Sequence, residues 1–201
     1  MPGWVDGGIA EACDLRDLNN MMTDILDEPE AVAELLDICT RQAELFAAAQ
    51  VQAGADIVGI GDAAASLIGP AMYEEFALPY EKRIVAAIHA AGGKAKLHIC
   101  GNINSLLEMA VETGADMIDC DWMVDFEKAN RVFADRCSAC GNFDPVGILL
   151  QGTPDSVTQA VEGCLAAASP RAVIAAGCEV PVQTPPENLA AVTKTLERLA
   201  G

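Results

Sequence analysis

His98 and Cys100 stand two apart in "KLHICGN" (residues 96–102), an apolar run that ends on glycine. In an extended strand such residues point to one side, so an imidazole and a thiol share a face. A third soft donor, Cys178, ends the apolar run of "RAVIAAGCEV" (171–180), between a glycine and a turn. One nitrogen and two sulfurs are a ligand set zinc prefers. Three protein ligands also leave a fourth position open, the pattern of a catalytic site. On spacing alone, two filled core positions of a strand remain the alternative reading for His98 and Cys100.

The remaining reactive side chains carry less. Cys13, Cys39, Cys120 and Cys164 lie in apolar contexts and read as small buried hydrophobes. Cys137 and Cys140 form a C-x-x-C, but no second pair follows at zinc-ribbon spacing and no thioredoxin-type helix opens there, so they read as strand residues. His89, among alanines on a helical pattern, reads as a surface residue. Four acids fall at strand ends: Asp62, Asp119, Asp121 and Asp144. Asp62 and Asp121 are candidates for lining a pocket, whereas Asp144, followed by Pro145, also fits a cap. The chain has no glycine-rich phosphate loop, no Walker lysine and no serine-hydrolase elbow.

These residues need a frame, and the hydrophobic pattern supplies one. Asp27 is expected to cap a helix with Pro29 in its first turn, running to Gly54. "ADIVGIGD" follows as a strand, then one or two helices across "GPAMYEEFALPYEKRIVAAIHAAGG", which Pro79 should break or bend. The alternation continues through "KAKLHICGN", a helix from about Ile103 to Glu112, "ADMIDCDW", a helix from about Phe126 to Ala134, and "CSACGNFDP". A helix capped by Thr153, the strand "RAVIAAGCEV" and a last helix from "PPENL" complete it. Five strands alternating with helices predict α/β architecture with a parallel sheet and chemistry at the strands' C-terminal ends. The first 25 residues show no good strand followed by a clean helix.

Composition bounds the function. The 201 residues are 52% apolar, enough for one domain over 1–201 with its own core, and carry a formal charge of −18. That charge opposes nucleic acid and anionic membrane as partners, and no apolar run is long enough to span a bilayer. Eight scattered cysteines without a signal-peptide pattern predict a reducing, cytoplasmic setting.

The motifs "FALPY" (76–80), "DW" (121–122), "GNFDP" (141–145) and "PPENL" (185–189) together resemble the uroporphyrinogen decarboxylase superfamily, from about residue 20 to the C-terminus. The resemblance implies a TIM (β/α)8 barrel, of which this chain would hold the C-terminal five or so βα units. "LHICGN" and "AAGCEVPVQTPPENL" resemble one branch, the zinc-dependent corrinoid methyltransferases of the methylcobamide:coenzyme M type. That implies zinc on His98, Cys100 and Cys178, with Asp121 as a fourth ligand. It also implies substrate-facing positions for Asp62 and for Asn142 of "GNFDP", a corrinoid protein as partner and methyl source, and a small thiol as acceptor. In true decarboxylases the position of Cys178 resembles a histidine and the H-x-C pair is missing. Tetrapyrrole decarboxylation is the alternative activity. An inactive barrel fragment, or a barrel completed by a second chain, is the alternative reading of the short length.

Overall fold

The computed structural model describes residues 1–200. Its centre is one parallel sheet whose strands lie in chain order: β1 (Pro2–Asp6), β2 (Ile57–Gly61), β3 (Lys94–Ile99), β4 (Met117–Cys120), β5 (Ser138–Phe143) and β6 (Val173–Ala176). Parallel neighbours must be joined by crossovers. Helices supply them: α1 (Gly8–Arg16), α2 (Leu18–Asp27) and α3 (Pro29–Gln52), then α4 (Gly69–Phe76) and α5 (Leu78–Ala90), α6 (Leu107–Glu112), α7 (Phe126–Phe133), and α8 (Pro154–Ala167), with α9 (Pro186–Ala200) after β6.

The sheet therefore has six strands where the hydrophobic pattern predicts five. The extra one is β1, in the stretch without a recognisable strand. Its sequence, PGWVD, opens on proline and glycine and buries only Val5, which is tolerable because β1 is an edge strand with β2 as its one partner. Two helices follow where none was clean. α1 follows Gly7 at its cap position, which has no side chain to cap it, and α2 is capped by Asp17, which accepts from the amides of Asn19 and Asn20 at a φ of 72°. Asp27 is not the cap of α3: α2 runs through Asp27, Glu28 stands between the helices, and Pro29 takes the first position of α3. The helix expected from Ile103 begins at Leu107, after a turn in which the Asn102 side chain accepts from the Asn104 amide. Pro79 does divide its stretch, leaving α4 and α5 on either side of Ala77.

Each strand presents two faces. On β3, Ala95, Leu97 and Ile99 are fully buried in the same core as Ile84 and Ile88 of α5 and Leu107 of α6; each large aliphatic side chain so buried contributes about 1.5–3 kcal/mol. Lys96 and His98 take the opposite face, inside the curve of the sheet. The register places Gly61, His98, Asp119, Cys140 and Val173 side by side on β2 to β6. A smaller core of Phe143, Leu149, Val157, Val161 and Ala191 anchors the C-terminal units.

Candidate metal centre

His98 lies near the end of β3, Cys100 one residue past it, and Cys178 two residues past β6. In strand order β6 is three places from β3, about 14 Å away if the sheet were flat. No cysteine spans that distance, so it is the curl of the sheet that returns Cys178 to His98, as the wall of a barrel would.

The three donors converge. His98 Nε2 is 3.1 Å from Cys100 Sγ and 3.8 Å from Cys178 Sγ, and the two sulfurs are 3.7 Å apart. A tetrahedral zinc, with bonds of about 2.3 Å to sulfur and about 2.0–2.1 Å to nitrogen, requires separations of about 3.8 Å between sulfurs and about 3.5 Å from nitrogen to sulfur. The side chains thus stand at the spacing one such ion would need. At 3.7 Å the thiols are not a disulfide. Burial and the neighbouring Cys178 thiol push the Cys100 pKa up to about 12, with Asp121 adding to the effect. A bound dication reverses that preference for the thiol, since metal coordination favours the thiolate.

Two loops set the geometry. Gly101 takes a φ of +89° and its amide donates to Asp121 Oδ2 at 2.9 Å, while Asp121 Oδ1 accepts from the Met123 amide at 3.0 Å. Asp121, only 3% exposed, thus spends both oxygens on the turn after Cys100 and on its own loop. It stands outside the cluster of donors that could share an ion, which among the described residues is His98, Cys100 and Cys178. Gly177 lets the end of β6 lie on the β4 loop: a Cβ there would sit 2.3 Å from the Trp122 backbone nitrogen.

Asp62 and Asn142 do not line the cleft. Asp62 is fully buried, and its Oδ1 accepts from the Ala10 amide at 2.9 Å, supplying from β2 the cap that α1 lacks. Gly7 makes room for this, since a Cβ there would fall within 2.2–2.5 Å of the Asp62 carboxyl atoms. Glu81 of α5 is equally buried beside Asp62 and accepts from the Tyr73 hydroxyl. Asn142 is buried and donates to the carbonyls of Asp121 (3.1 Å) and Val124 (2.7 Å), tying β5 to the β4 loop. A position at a strand's end says where the backbone stops, not where the side chain points.

Asp144 caps the turn after β5, accepting from the Val146 amide. Cys137 and Cys140 are buried strand-side thiols, and Cys13, Cys39 and Cys120 are core residues; burial raises all five pKa values, that of Cys13 to about 11. Cys164 is only half-buried. His89 is exposed and pairs with Asp116.

A cleft of about 780 Å³ opens beside His98 and Cys100, with Trp4, Asp6, Arg16 and Leu67 among its walls. Trp4 came from a segment that showed no element in the pattern. Its indole lies against Gly59 and Gly61, where any Cβ would fall within 2.3–2.6 Å of the ring, and its centroid is 6.5 Å from that of His98. The signal was local after all: glycines at alternate positions of β2 leave a groove for a ring from β1. Lys96 also escaped the pattern, although it shares the alternation parity of His98 and Cys100; it is joined at 2.6 Å to Asp119, one of the four strand-end acids, beside His98.

Comparisons with known proteins agree with this frame. The chain matches the uroporphyrinogen decarboxylase (URO-D) family over residues 3–199. It is 38% identical over 162 residues to the methylcobamide:CoM methyltransferase MtbA of Methanosarcina acetivorans, covering 80% of this chain and 47% of that protein. It is 37% identical over 131 residues to the uroporphyrinogen decarboxylase of Chlorobaculum parvum, covering 65% and 37%. Among solved structures, a methyltransferase from Methanosarcina mazei superposes with a TM-score of 0.92 at 25% identity, covering all of this chain and 59% of that one. The chain thus spans about half the length of the curated relatives it matches. Fold, order of strands and sequence agree, and the chain belongs to the uroporphyrinogen decarboxylase (URO-D) family.

Proposed function

We propose that this chain carries the zinc site of a methyltransferase that moves a methyl group from a protein-bound corrinoid to a small thiol such as coenzyme M. The observation that carries the reading is the spacing of His98 Nε2, Cys100 Sγ and Cys178 Sγ, 3.1 to 3.8 Å apart at the C-terminal ends of two strands. Relatives named as methylcobamide:CoM methyltransferases support it. Zinc held by those three atoms would act as a Lewis acid, its charge offset by two thiolates and its fourth position open to a substrate thiol.

The chain's own residues prepare the place. Asp121 fixes the turn that aims Cys100, and Gly177 seats the loop that aims Cys178. Trp4 and Leu67 give the cleft apolar wall on one side of His98. The corrinoid enters as a substrate from its carrier protein. A carbon–sulfur bond forms as the cobalt–carbon bond breaks, the bonding pair staying on cobalt and the thiol proton passing to solvent. A cytoplasmic setting suits eight unpaired cysteines.

Purified chain is expected to hold close to one zinc by elemental analysis. Cys100→Ser and Cys178→Ser should each lose most of it and abolish methyl transfer from methylcobalamin to coenzyme M. Retention of transfer in Cys100→Ser sinks the reading. A second reading, tetrapyrrole decarboxylation, is favoured by relatives of that name, and coproporphyrinogen formation by metal-free chain would establish it in place of the first.

A further inference from the structure

The three donors account for only one nitrogen of His98. Its Nε2 faces the two sulfurs, while Nδ1 is buried and has no hydrogen-bond partner among the described residues. Asp119 Oδ2 stands 3.8 Å from that nitrogen. The register makes the approach direct: His98 and Asp119 are neighbours on β3 and β4, and Cys140 is the next neighbour on β5. Lys96 Nζ holds the carboxylate, donating to Oδ2 at 2.6 Å. It shares the wall around the donors with Trp4, Ala176, Cys178 and Glu179.

A neutral imidazole has a single N–H. When Nε2 gives its lone pair to a metal, the proton must be on Nδ1, where here it is enclosed by protein. Such an N–H needs an acceptor, and the indole of Trp4 is a donor only. We propose that Asp119 is the positioning residue of the metal centre, accepting the Nδ1–H of His98 and so presenting Nε2 to the ion. This rests on the zinc reading above and deepens it. The 3.8 Å gap is about 1 Å beyond the length of a charge-assisted bond, within reach of side-chain rotation. The Lys96 ammonium lies 6.0 Å from the centroid of the Trp4 ring. Carboxylates placed behind ligating histidines fix the tautomer and raise the basicity of the bound nitrogen, and their loss weakens metal binding about 10–100-fold.

The test is a competition titration of Zn²⁺ against a chromophoric chelator, on the unaltered chain and on Asp119→Asn. A loss of about 10-fold or more in zinc affinity, with the thiolate-to-metal band of the Co²⁺-loaded variant retained, supports the proposal, since it shows both sulfurs still bound. Zinc affinity within twofold of the unaltered chain overturns it. A second measurement needs no variant. The chain has two histidines, so the ring nitrogens of His98 can be assigned by ¹⁵N-resolved NMR of the zinc-loaded protein. A protonated Nδ1 with a strongly downfield, exchange-protected proton is expected, and a metal-bound Nδ1 or a proton at the shift of a free imidazole N–H overturns the assignment. If the unaltered chain takes up no zinc, the metal reading itself fails; equal affinity in the variant removes only the role of Asp119.

Discussion

Asp62 and Glu81 are two carboxyls buried without a cation. Asp62 Oδ2 and Glu81 Oε1 have no hydrogen-bond partner among the described residues, while Asp62 Oδ1 and Glu81 Oε2 are taken by the Ala10 amide and the Tyr73 hydroxyl. A proton on either carboxyl gives it a donor for the other acid beside it. Burial raises the pKa of each: that of Asp62 goes to about 7, opposed by the amides at the start of α1, and that of Glu81 stays well above the carboxylate range, with the charge of Asp62 adding to the effect. The sign follows from linkage. In the unfolded chain Asp62 ionises near 3.8, in the folded one near 7, so between these values unfolding releases a proton. Stability from this group is complete below about pH 4, falls as pH rises, and levels off above about 7. Asp62→Asn keeps an acceptor for Ala10 and a donor for Glu81, and should flatten that fall in a series of urea melts. Asp62→Leu leaves the α1 amide unpaired and should cost about 1–3 kcal/mol at any pH. A slope unchanged in Asp62→Asn would exclude Asp62 as its source.

At the level of elements, Cys178 depends on how closely β6 approaches the β4 loop. Gly177→Ala puts a methyl group against the Trp122 backbone, which has no flexible end to yield, so the loop must move. The expected cost is about 1–3 kcal/mol in stability, together with weaker zinc binding, because the displaced neighbour is Cys178, a proposed ligand. Alanine at Gly163, where a Cβ meets nothing, is the control and should stabilise α8. Equal zinc affinity in the two variants would show that the β4 contact does not position Cys178. The same elements show what a sequence can and cannot reveal. Strands β2 to β6 were legible as apolar runs closed by glycine or acid, and the Thr153 cap of α8 was legible as well. β1 was not, because its edge position tolerates Pro2 and Gly3 and because the helix after it is capped from β2, through Asp62. His98 and Cys100 could be read as a pair from alternation alone. Their meeting with Cys178 depends on the curl of a sheet, and the approach of Asp119 on register, neither of which has a local signature.

The whole molecule carries 30 acidic and 12 basic side chains, and its ion pairs lie mostly at the surface, where each contributes about 0–1 kcal/mol. Self-repulsion among the unpaired acids therefore outweighs local pairing as the long-range electrostatic contribution to stability. Repulsion of this kind acts over the screening length, which shrinks from about 30 Å at 0.01 M salt to about 8 Å at 0.15 M. Two opposed trends follow from adding NaCl: exposed pairs such as Arg198–Glu162 weaken, and the net charge of −18 repels itself less. The second involves many more charges, so the melting temperature at pH 7 should rise with salt, by about 2–4 °C for each 1 kcal/mol gained in a chain of this size. The shape of the curve identifies the cause. Screening acts mostly below about 0.15 M, whereas salts excluded from the protein surface keep stabilising at far higher concentration. A melting temperature that is flat or falls across the low range would mean that the ion pairs, rather than the net charge, govern the electrostatics of the folded chain.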